Sequence, residues 1–453
     1  MFLRLINEKY MTNRYSYNRR FIIFSAVILC GVINNGYAQT CYVTNTGTDS
    51  GASWLQAASF GDALNDPNCT EIWVKQGVYY PTTTLSRTAS FIVNREVVVY
   101  GGFQGFETQL NDRDFKLYET VLSGDIGVAH DNTDNSYHVI SFFGVDDNTV
   151  VDGFIIEKGH ANALNQGPYQ SGGGMMCHGQ SAYEICNPTV RNSIFRDNHA
   201  TANGGAVYNN GYLGQSSPMF VNVTFENNQV EGNGGAMYND GYTGESSPEF
   251  NQVSFINNQA GNYGGAVHNE GFNGISSPQF TNVTFYGNSA DSYAGAIINI
   301  GDFGVSNPIF NQVTFTQNTA GSSGSAMTNF GMNGESIPVV NNSIFWGNSG
   351  SVVEIYNIAA EPIINDSLID GGCPNDSVCT NILNVNPMLA SLADNGGFSP
   401  TVIPEINSPV IDAGNNASCT GYDQRGVVRP QGQACDLGAV ERLSDLIFKN
   451  GFN

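Results

Sequence analysis

The central part of the sequence has no positive charge. No Lys or Arg occurs between Arg196 and Arg425, and the 453 residues carry 17 basic against 40 acidic side chains, a formal net charge of −23 at pH 7. Binding to nucleic acid or to an acidic polysaccharide needs a cationic surface that neutralises phosphates or carboxylates. The composition therefore excludes nucleic acid as a partner and argues against acidic glycans.

Long apolar runs are also missing. After the N-terminal region, no apolar stretch approaches the 18 residues expected of a membrane-spanning helix. The apolar segment 21–33 follows two arginines and precedes Gly-Tyr-Ala at 36–38, which is the order of elements in a secretory signal peptide. We predict a signal peptide at residues 1–38. The chain from Gln39 is then expected to be secreted or held at the outer cell surface, without a membrane span.

Cysteine spacings typical of zinc sites are absent. No Cys-x-x-Cys occurs, and the six histidines keep no constant offset from the nine cysteines, so a metal site on the cysteines is the second interpretation. Apart from Cys30 in the signal peptide, eight cysteines remain, and export to an oxidising compartment favours local disulfides. Sequence does not fix the pairing. The candidates cluster as Cys41 with Cys69, Cys177 with Cys186, Cys373 with Cys379, and Cys419 with Cys435.

The sequence does contain a repeat of 30 residues, from about residue 188 to residue 348. Each unit holds a Phe-x-x-Asn step and a Gly-Gly-Ala-x-x-Asn motif, with short β-runs between Gly and Asn clusters and no helical pattern. Thirty residues are too few for the four strands of a propeller blade. We therefore predict an all-β fold, a right-handed parallel β-helix with about 30 residues per coil.

Equivalent residues of stacked coils lie directly above one another, about 4.8 Å apart. The repeated Phe is then expected to form an interior stack, with the Val two residues before it packed alongside. The two repeated Asn positions are expected at tight turns, bonded amide to amide along two ladders. The columns are Phe195, Phe225, Phe255, Phe285, Phe315 and Phe345; Asn198, Asn228, Asn258, Asn288, Asn318 and Asn348; and Asn209, Asn239, Asn269, Asn299 and Asn329.

Two motifs resemble known families. Residues 423–430, Asp-Gln-Arg-Gly-Val-Val-Arg-Pro, followed by 435–441, are similar to the end of the choice-of-anchor Q domain of secreted bacterial right-handed parallel β-helix proteins, which share the pectin-lyase-like fold. The Gly-Gly-Ala and Phe-x-x-Asn pair resembles the repeats of polymorphic outer membrane proteins, which implies an exported solenoid with an adhesive role. We divide the chain into residues 1–38, a signal peptide; 39–170, an N-terminal cap with irregular first coils; 171–350, regular β-helix repeats; 351–441, final coils with an end that resembles a choice-of-anchor Q domain; and 442–453, a short C-terminal tail.

Enzymes of the pectin-lyase-like class are the main catalytic alternative. A lyase needs a Lys or Arg base beside a carboxylate-bound Ca²⁺, and a hydrolase needs paired carboxylates on neighbouring coils. The repeats supply no cation, and we expect no stacked acid pair on adjacent coils, so we predict no catalytic residue. Asp125, Asp131 and Asp134 could together bind Ca²⁺ through oxygen ligands, although a solvated acidic loop is the simpler interpretation.

The remaining candidate is a binding face built from two aromatic columns. Flat rings beside amides and hydroxyls suit neutral sugars, and packing of a long loop onto its coil is the alternative interpretation. The recurring glycines in the same loops, such as Gly211 and Gly214, are expected to have positive φ angles. The candidate columns are Tyr208, Tyr238 and His268, and Tyr212, Tyr242 and Phe272.

Three functions follow from these observations. The preferred one is a non-catalytic, adhesin-like secreted or cell-surface protein that binds neutral glycans or other cell-surface components. The second is a polysaccharide lyase or glycoside hydrolase with its site on the first coils. The third is a purely structural envelope or matrix protein. No cofactor is expected, apart from the Ca²⁺ considered above.

Overall fold

A computed structural model describes residues 39–164, 167–182, 184–350 and 353–443. The predicted signal peptide and the residues from 444 onward lie outside this part of the chain. Within it, no helix has the length and apolar character needed to cross a membrane.

The described chain forms three parallel sheets, and the coils from about Ile155 to Phe330 pass through all three in turn. Sheet A comprises Gln39–Val43, Cys69–Lys75, Gly77–Tyr79, Val98–Phe103, Thr120–Ser123, Val150–Asp152, Ile155–Glu157, Thr189–Arg196, Met219–Glu226, Glu249–Asn251, Ser254–Ile256, Gln279–Tyr286, Ile309–Thr316, Val339–Asn341, Ile344–Trp346, Ile363–Ile369 and Val378–Leu383. Sheet B comprises Phe91–Val93, Ile140–Phe143, Met175–His178, Val207–Asn210, Met237–Asp240, Val267–Glu270, Ile297–Ile300, Met327–Phe330 and Ile355–Ile358. Sheet C comprises His160–Ala161, His199–Ala200, Gln229–Val230, Gln259–Ala260, Ser289–Ala290 and Thr319–Ala320.

The strand register follows the sequence period. Phe195 pairs with Phe225, and Phe225 pairs with Phe255, so each coil places its equivalent residues beside those of the next. This confirms the predicted parallel β-helix. Helical turns interrupt the strands at Trp54–Gln56, Phe60–Asn65, Leu110–Asp112 and Gly167–Gln170. The α-helix Phe60–Asn65 begins where the Ser59 hydroxyl accepts the Asp62 backbone N–H, and it buries Phe60 and Leu64 against the first coils.

The predicted Phe column forms a continuous interior stack. Its ring centroids lie 5.0 Å apart at Phe195 and Phe225 and 4.6 Å apart at Phe285 and Phe315, and these rings are fully buried. A second stack was not predicted, and it packs edge-on against the first. The two stacks share the core with buried Val, Ala and Met side chains. Each buried Phe contributes about 2 to 3 kcal/mol of transfer free energy. The second stack is Phe220, Phe250, Phe280 and Phe310.

Both Asn ladders are present and bonded amide to amide. Asn228 donates to Asn258 at 3.0 Å along the first, and Asn239 donates to Asn269 at 2.7 Å along the second. Only the first lies at a turn. The second ladder lies inside the strands of sheet B with fully buried side chains, so the turn prediction was wrong for it. An inward Asn is tolerated there because the next coil supplies its hydrogen-bond partner.

Sheet A bends at a column of amide residues with left-handed backbone. Asn192 has φ 49° and Gln252 has φ 59°, and the strand of the Gln252 coil divides into Glu249–Asn251 and Ser254–Ile256 at this point. Asn tolerates left-handed backbone readily, and the amide side chains here bond to the neighbouring coil, as Asn222 does to Asn192, or to the C-terminal segment, as Gln252 does to the Asp423 carbonyl. We call these residues the bend column: Asn192, Asn222, Gln252, Asn282, Gln312 and Asn342.

A C-terminal strap, residues 386–443, lies across the outer face of sheet A. Asn282 in the bend column donates to the Tyr422 carbonyl at 2.9 Å, and Gln312 accepts the Thr420 backbone N–H at 2.8 Å. The strap also bonds to an outward hydroxyl of sheet A, because the Thr314 hydroxyl accepts the Ala439 backbone N–H at 3.0 Å. The strap thus covers several coils through polar contacts between segments more than 100 residues apart.

Three of the four predicted disulfides are formed: Cys41–Cys69, Cys177–Cys186 and Cys373–Cys379. The fourth prediction was wrong, because Cys419 and Cys435 are both free thiols in the strap. They contact each other through a hydrogen bond, and burial together with this contact raises the pKa of Cys435 well above its ordinary value.

Candidate functional site

The loops that join sheet B to sheet A are the most regular exposed feature of the solenoid. Three of them begin with a side chain that accepts the backbone N–H two residues later, as Asn210 does from Tyr212 at 3.2 Å and Asp240 does from Tyr242 at 3.1 Å. The residue after each ring then has a left-handed backbone, with φ 61° at Leu213 and 54° at Thr243. This local turn points the aromatic side chain away from the coil.

The glycines of these loops have a different role from the one predicted. Gly211 and Gly241 are not in the positive-φ region. A Cβ atom at Gly211 would lie 2.0 Å from the Glu245 carbonyl oxygen, and one at Gly241 would lie 2.0 Å from the Ile275 carbonyl oxygen. Glycine is therefore required because adjacent coils approach each other closely at this point.

The predicted outer aromatic column is exposed and longer than expected. Tyr212 and Tyr242 are 38% and 39% exposed, and Phe272 is half-buried. The column does not end at Asp302, because Phe303, 55% exposed, packs edge-on against Phe272 at 5.6 Å. We call the resulting surface the outer ridge: Tyr212, Tyr242, Phe272, Phe303 and Met332.

The rings of the outer ridge present mainly their edges to solvent. Tyr242 and Phe272 stack at 5.2 Å with planes 7° apart, and Tyr212 is tilted by 32° against Tyr242 at 5.6 Å. Stacked rings cover each other's faces, which are the surfaces that sugar rings contact. The outer ridge therefore offers apolar edges and phenol hydroxyls, not the flat platforms expected from sequence.

The inner aromatic column packs the coils. Tyr238 is 8% exposed and His268 is 2% exposed, with ring centroids 4.4 Å apart and planes 12° apart. Tyr208 donates its hydroxyl proton to Asp240 Oδ2 at 2.5 Å, and burial followed by the Asp240 charge raises the pKa of Tyr208 well above its ordinary value. The ligand-contact prediction was therefore wrong for Tyr238 and His268, because the neighbouring loops cover them.

A stacked acid pair does occur in the repeats, contrary to expectation. Asp240 and Glu270 are paired in register on adjacent strands of sheet B, so their backbones lie about 4.8 Å apart. Their constant spacing of 30 residues was the sequence signal that could have identified them. Burial raises the pKa of Asp240, although Tyr208 opposes this shift through its hydrogen bond.

The carboxylate oxygens of this pair hold the loop and the inner column in place. Besides the bonds already described for Asp240, Glu270 accepts the Phe272 backbone N–H at 3.2 Å, and His268 Nε2 lies 3.4 Å from Glu270 Oε2. Each carboxylate thus satisfies one backbone donor and one ring of the inner column. This arrangement stabilises the loops of the outer ridge. All four carboxylate oxygens of the pair already have a partner within the protein.

The three acids considered for Ca²⁺ are used separately. Asp125 Oδ2 forms an ion pair with Lys158 Nζ at 3.0 Å, Asp131 accepts the Thr133 hydroxyl at 2.6 Å, and Asp134 accepts the Val128 N–H at 2.8 Å. In the described part of the chain, no group of three or more His, Cys, Asp or Glu side chains is arranged to hold a metal ion. The structure therefore does not bring these three together as a ligand set.

Lys158 is a cation on the first coils, outside the regular repeats. It precedes the equivalent Asp197 by 39 residues, because this coil is longer than the repeats, so the 30-residue period did not reveal it. Burial lowers its pKa, but the hydrogen bond and charge of Asp125 outweigh burial and raise it above the ordinary value. A lyase base must lose its proton easily, and this environment has the opposite effect.

Comparisons with known proteins support the repeats and the fold. The Chlamydia polymorphic membrane protein repeat matches residues 192–210, 222–240 and 252–270, which lie in three successive coils. The crystal structure of pectate lyase Pel9A is similar with a TM-score of 0.51 and 16% identity, covering 89% of this chain and 96% of that chain. Identity at this level shows a shared fold alone.

Two further comparisons add no argument. The complex structure of XylC with xylose aligns with a TM-score of 0.29 and 10% identity, covering 89% of this chain and 98% of that one. No curated protein was found to match the sequence. The matched repeats and the disulfides are consistent with an extracellular or surface β-helix protein.

Proposed function

We propose that this protein is a non-catalytic, adhesin-like β-helix that binds cell surfaces through the outer ridge. The observation that carries the proposal is a row of contacting aromatic rings on four successive coils, from Tyr212 to Phe303, in which every ring but the half-buried Phe272 is exposed. Monomeric proteins rarely expose connected apolar patches without a binding role. The preceding loop residues, Asn210, Asp240 and Glu270, hold these side chains outward by hydrogen bonds.

The chemistry of the outer ridge suggests what it binds. The repeats carry no Lys or Arg, so attraction to anionic surfaces is excluded. Ring edges and tyrosine hydroxyls suit neutral cell-surface components, whether a neutral glycan laid along the coils or an apolar protein surface. The side chains of the outer ridge repeat about every 4.8 Å along the axis of the solenoid, which would let an extended partner contact several coils at once.

A polysaccharide-active enzyme is the second candidate, supported by the fold that the chain shares with pectate lyase Pel9A. It ranks below the binding function because Lys158 is ion-paired and the Asp240–Glu270 pair is engaged by the loop and the inner column. A purely structural role in an envelope or matrix ranks third, because a structural layer has no need of an exposed apolar ridge.

The test compares a ridge variant with a matched control. Tyr212→Ala with Tyr242→Ala removes two ridge rings whose centroids are 5.6 Å apart. Tyr263→Ala with Tyr293→Ala removes another half-buried pair, 5.7 Å apart, from the loops between sheet C and sheet B. We expect binding to whole cells and to a neutral glycan array to fall at least about tenfold in the ridge variant only, since two aromatic anchors are lost.

Equal binding by both variants would show that the outer ridge is not the site. A reducing-sugar and unsaturated-product assay is run on the same polysaccharides. Product formation by the unmodified chain would contradict the non-catalytic proposal, and its loss in Lys158→Ala would place the chemistry on the first coils.

A further inference from the structure

A pocket of about 370 Å³ lies on the first coils, away from the outer ridge. Its wall is built where three successive coils turn from sheet A to sheet C. Lys158, Asp197 and Asn227 occupy the same turn position on these coils, and all have left-handed backbone, with φ 58°, 54° and 55°. The loop 125–135 closes the far side. Pockets of this volume are typical of small-molecule sites.

Two histidines at the base of the pocket are hydrogen-bond acceptors at neutral pH. His160 and His199 pair in register on sheet C, with rings edge to face at 4.7 Å. His160 Nδ1 lies 2.6 Å from the Asn132 carbonyl oxygen, which can only accept, so Nδ1 carries the proton and Nε2 has a free lone pair. Burial lowers the pKa of both imidazoles, which keeps them neutral.

Two buried polar atoms beside the pocket have no partner in the described part of the chain. Asn135 is 5% exposed, and its Nδ2 donates to the Lys158 carbonyl at 2.8 Å, but its Oδ1 accepts no hydrogen bond. His199 Nδ1 is also buried and unpartnered. A buried acceptor without a donor costs about 1 to 3 kcal/mol. A bound molecule whose donors reach these atoms would remove this cost.

The charge of the pocket favours a cation. Lys158 and Asp125 neutralise each other through their 3.0 Å ion pair. Asp197 is exposed and forms no ion pair in the described residues. Among Lys158, Asp125 and Asp197, the Asp197 carboxylate is therefore the one charge without a partner of opposite sign.

We propose that this pocket binds a small hydroxylated cation of the amino-sugar class. The Asp197 carboxylate binds the ammonium group, while Asn135 Oδ1, His160 Nε2 and the His199 ring accept hydroxyl protons. An acidic sugar is disfavoured because Lys158 is already paired. The site is separate from the outer ridge, so either proposal can fail without the other.

The test measures binding of D-glucosamine to the full chain by calorimetry, with D-glucose and D-galacturonate as comparison ligands. Asp197→Asn removes the charge and keeps the fold, because Asn227 and Asn257 occupy the equivalent position on later coils with left-handed backbone. We expect glucosamine affinity to fall at least about tenfold in this variant and glucose affinity to stay unchanged. Asp291→Asn, an exposed acid on a distant coil, is the matched control.

A second variant tests the base of the pocket. His199→Gln introduces the residue found at the paired positions Gln229 and Gln259. We expect this variant to bind both glucosamine and glucose more weakly. The proposal is overturned if glucosamine binds no more tightly than glucose, if Asp197→Asn binds it as well as the unmodified chain does, or if galacturonate is the preferred ligand.

Discussion

At the residue scale, the buried amide of Asn258 shows how one side chain joins three coils. Its Nδ2 donates to the Phe225 carbonyl at 3.0 Å and to Asn288 Oδ1 at 2.9 Å, while its Oδ1 accepts from the Asn228 backbone N–H at 3.1 Å. The side chain is fully buried. Because water does not reach this buried amide, nothing replaces a hydrogen bond that is lost from the ladder.

Asn258→Ala should therefore be strongly destabilising. It leaves several buried donors and acceptors unpaired, and we expect the free energy of unfolding to fall by about 3 kcal/mol or more. Chemical denaturation followed by circular dichroism measures this. Gln259→Ala removes an exposed amide from the same coil and should have little effect. Similar midpoints for the two variants would contradict a stabilising role for the ladder.

Glu354 lies at the end of the first Asn ladder, and its ionisation should make the stability of the fold depend on pH. The last amide, Asn348, donates to Glu354 Oε2 at 2.7 Å, and burial raises the pKa of Glu354 to about 7. The folded state therefore holds the proton more tightly than the unfolded chain does. The resulting stability is complete below about pH 4.5 and is lost as the pH rises through 7.

Glu354→Gln removes this titration. We expect the Tm of the variant, relative to that of the unmodified protein, to be higher at pH 8 than at pH 5. Thermal melts at the two pH values give the comparison. The same substitution at the exposed Glu249 should give a difference that does not change with pH. A relative Tm for Glu354→Gln that falls as the pH rises would contradict the assignment.

At the element scale, the C-terminal strap is held by a buried charge network. Arg429 Nη1 lies 3.0 Å from Glu441 Oε2, and both side chains are excluded from solvent. Glu441 also accepts the backbone N–H groups of Gln431 and Asp436 at 2.8 and 2.9 Å. These residues belong to the motif that resembles the end of a choice-of-anchor Q domain, so the structure gives that motif a packing role.

Arg429→Ala should release the strap while the coils stay folded. Removing one partner of a buried ion pair typically costs about 3 to 5 kcal/mol, because the other charge stays buried alone. Hydrogen exchange should show loss of protection in residues 386–443 and little change in sheets B and C. Arg442→Ala, which removes only a hydrogen bond to the Pro404 carbonyl, is the control. Unchanged exchange in the strap would disprove this role.

At the scale of the whole molecule, two kinds of contact coexist. The coils contact their immediate neighbours, so their stability is close to a sum over adjacent pairs. The strap instead spans several coils, among them the coil of Gln252, which donates to the Asp423 carbonyl at 3.0 Å, and the coil of Asn342, which donates to the Asn415 carbonyl at 3.2 Å. Its docking therefore depends on the number of coils between these residues.

Deleting one coil should separate the two kinds of contact. Removal of residues 289–318 joins equivalent positions, so we expect the β-sheet signal in circular dichroism to persist. The residues on the coils that bind the two ends of the strap then lie about 4.8 Å closer together than the strap requires. The strap should therefore become sensitive to limited proteolysis. Replacing residues 289–318 with a copy of residues 259–288 restores the coil number and should restore resistance. Equal resistance in the deletion variant would show that strap docking does not depend on register.

The sequence alone determined the period, the parallel stacking, the Phe225 stack and the Asn258 ladder. Each coil gives these residues the same surroundings as the coil before it, so a column visible in the sequence is a column in space. The local disulfides Cys41–Cys69, Cys177–Cys186 and Cys373–Cys379 were predictable for a similar reason, since their partners are close along the chain.

Only the tertiary structure decided which parts of these columns are accessible. It buried His268, extended the outer ridge to Phe303, and left Asp197 unpaired beside a pocket. It also laid the strap over Gln312 and Thr314, more than 100 residues earlier in the chain. A period describes the relation of one coil to the next. Exposure and strap docking depend on how loops and distant segments fold back over the coils, and no local pattern encodes that path.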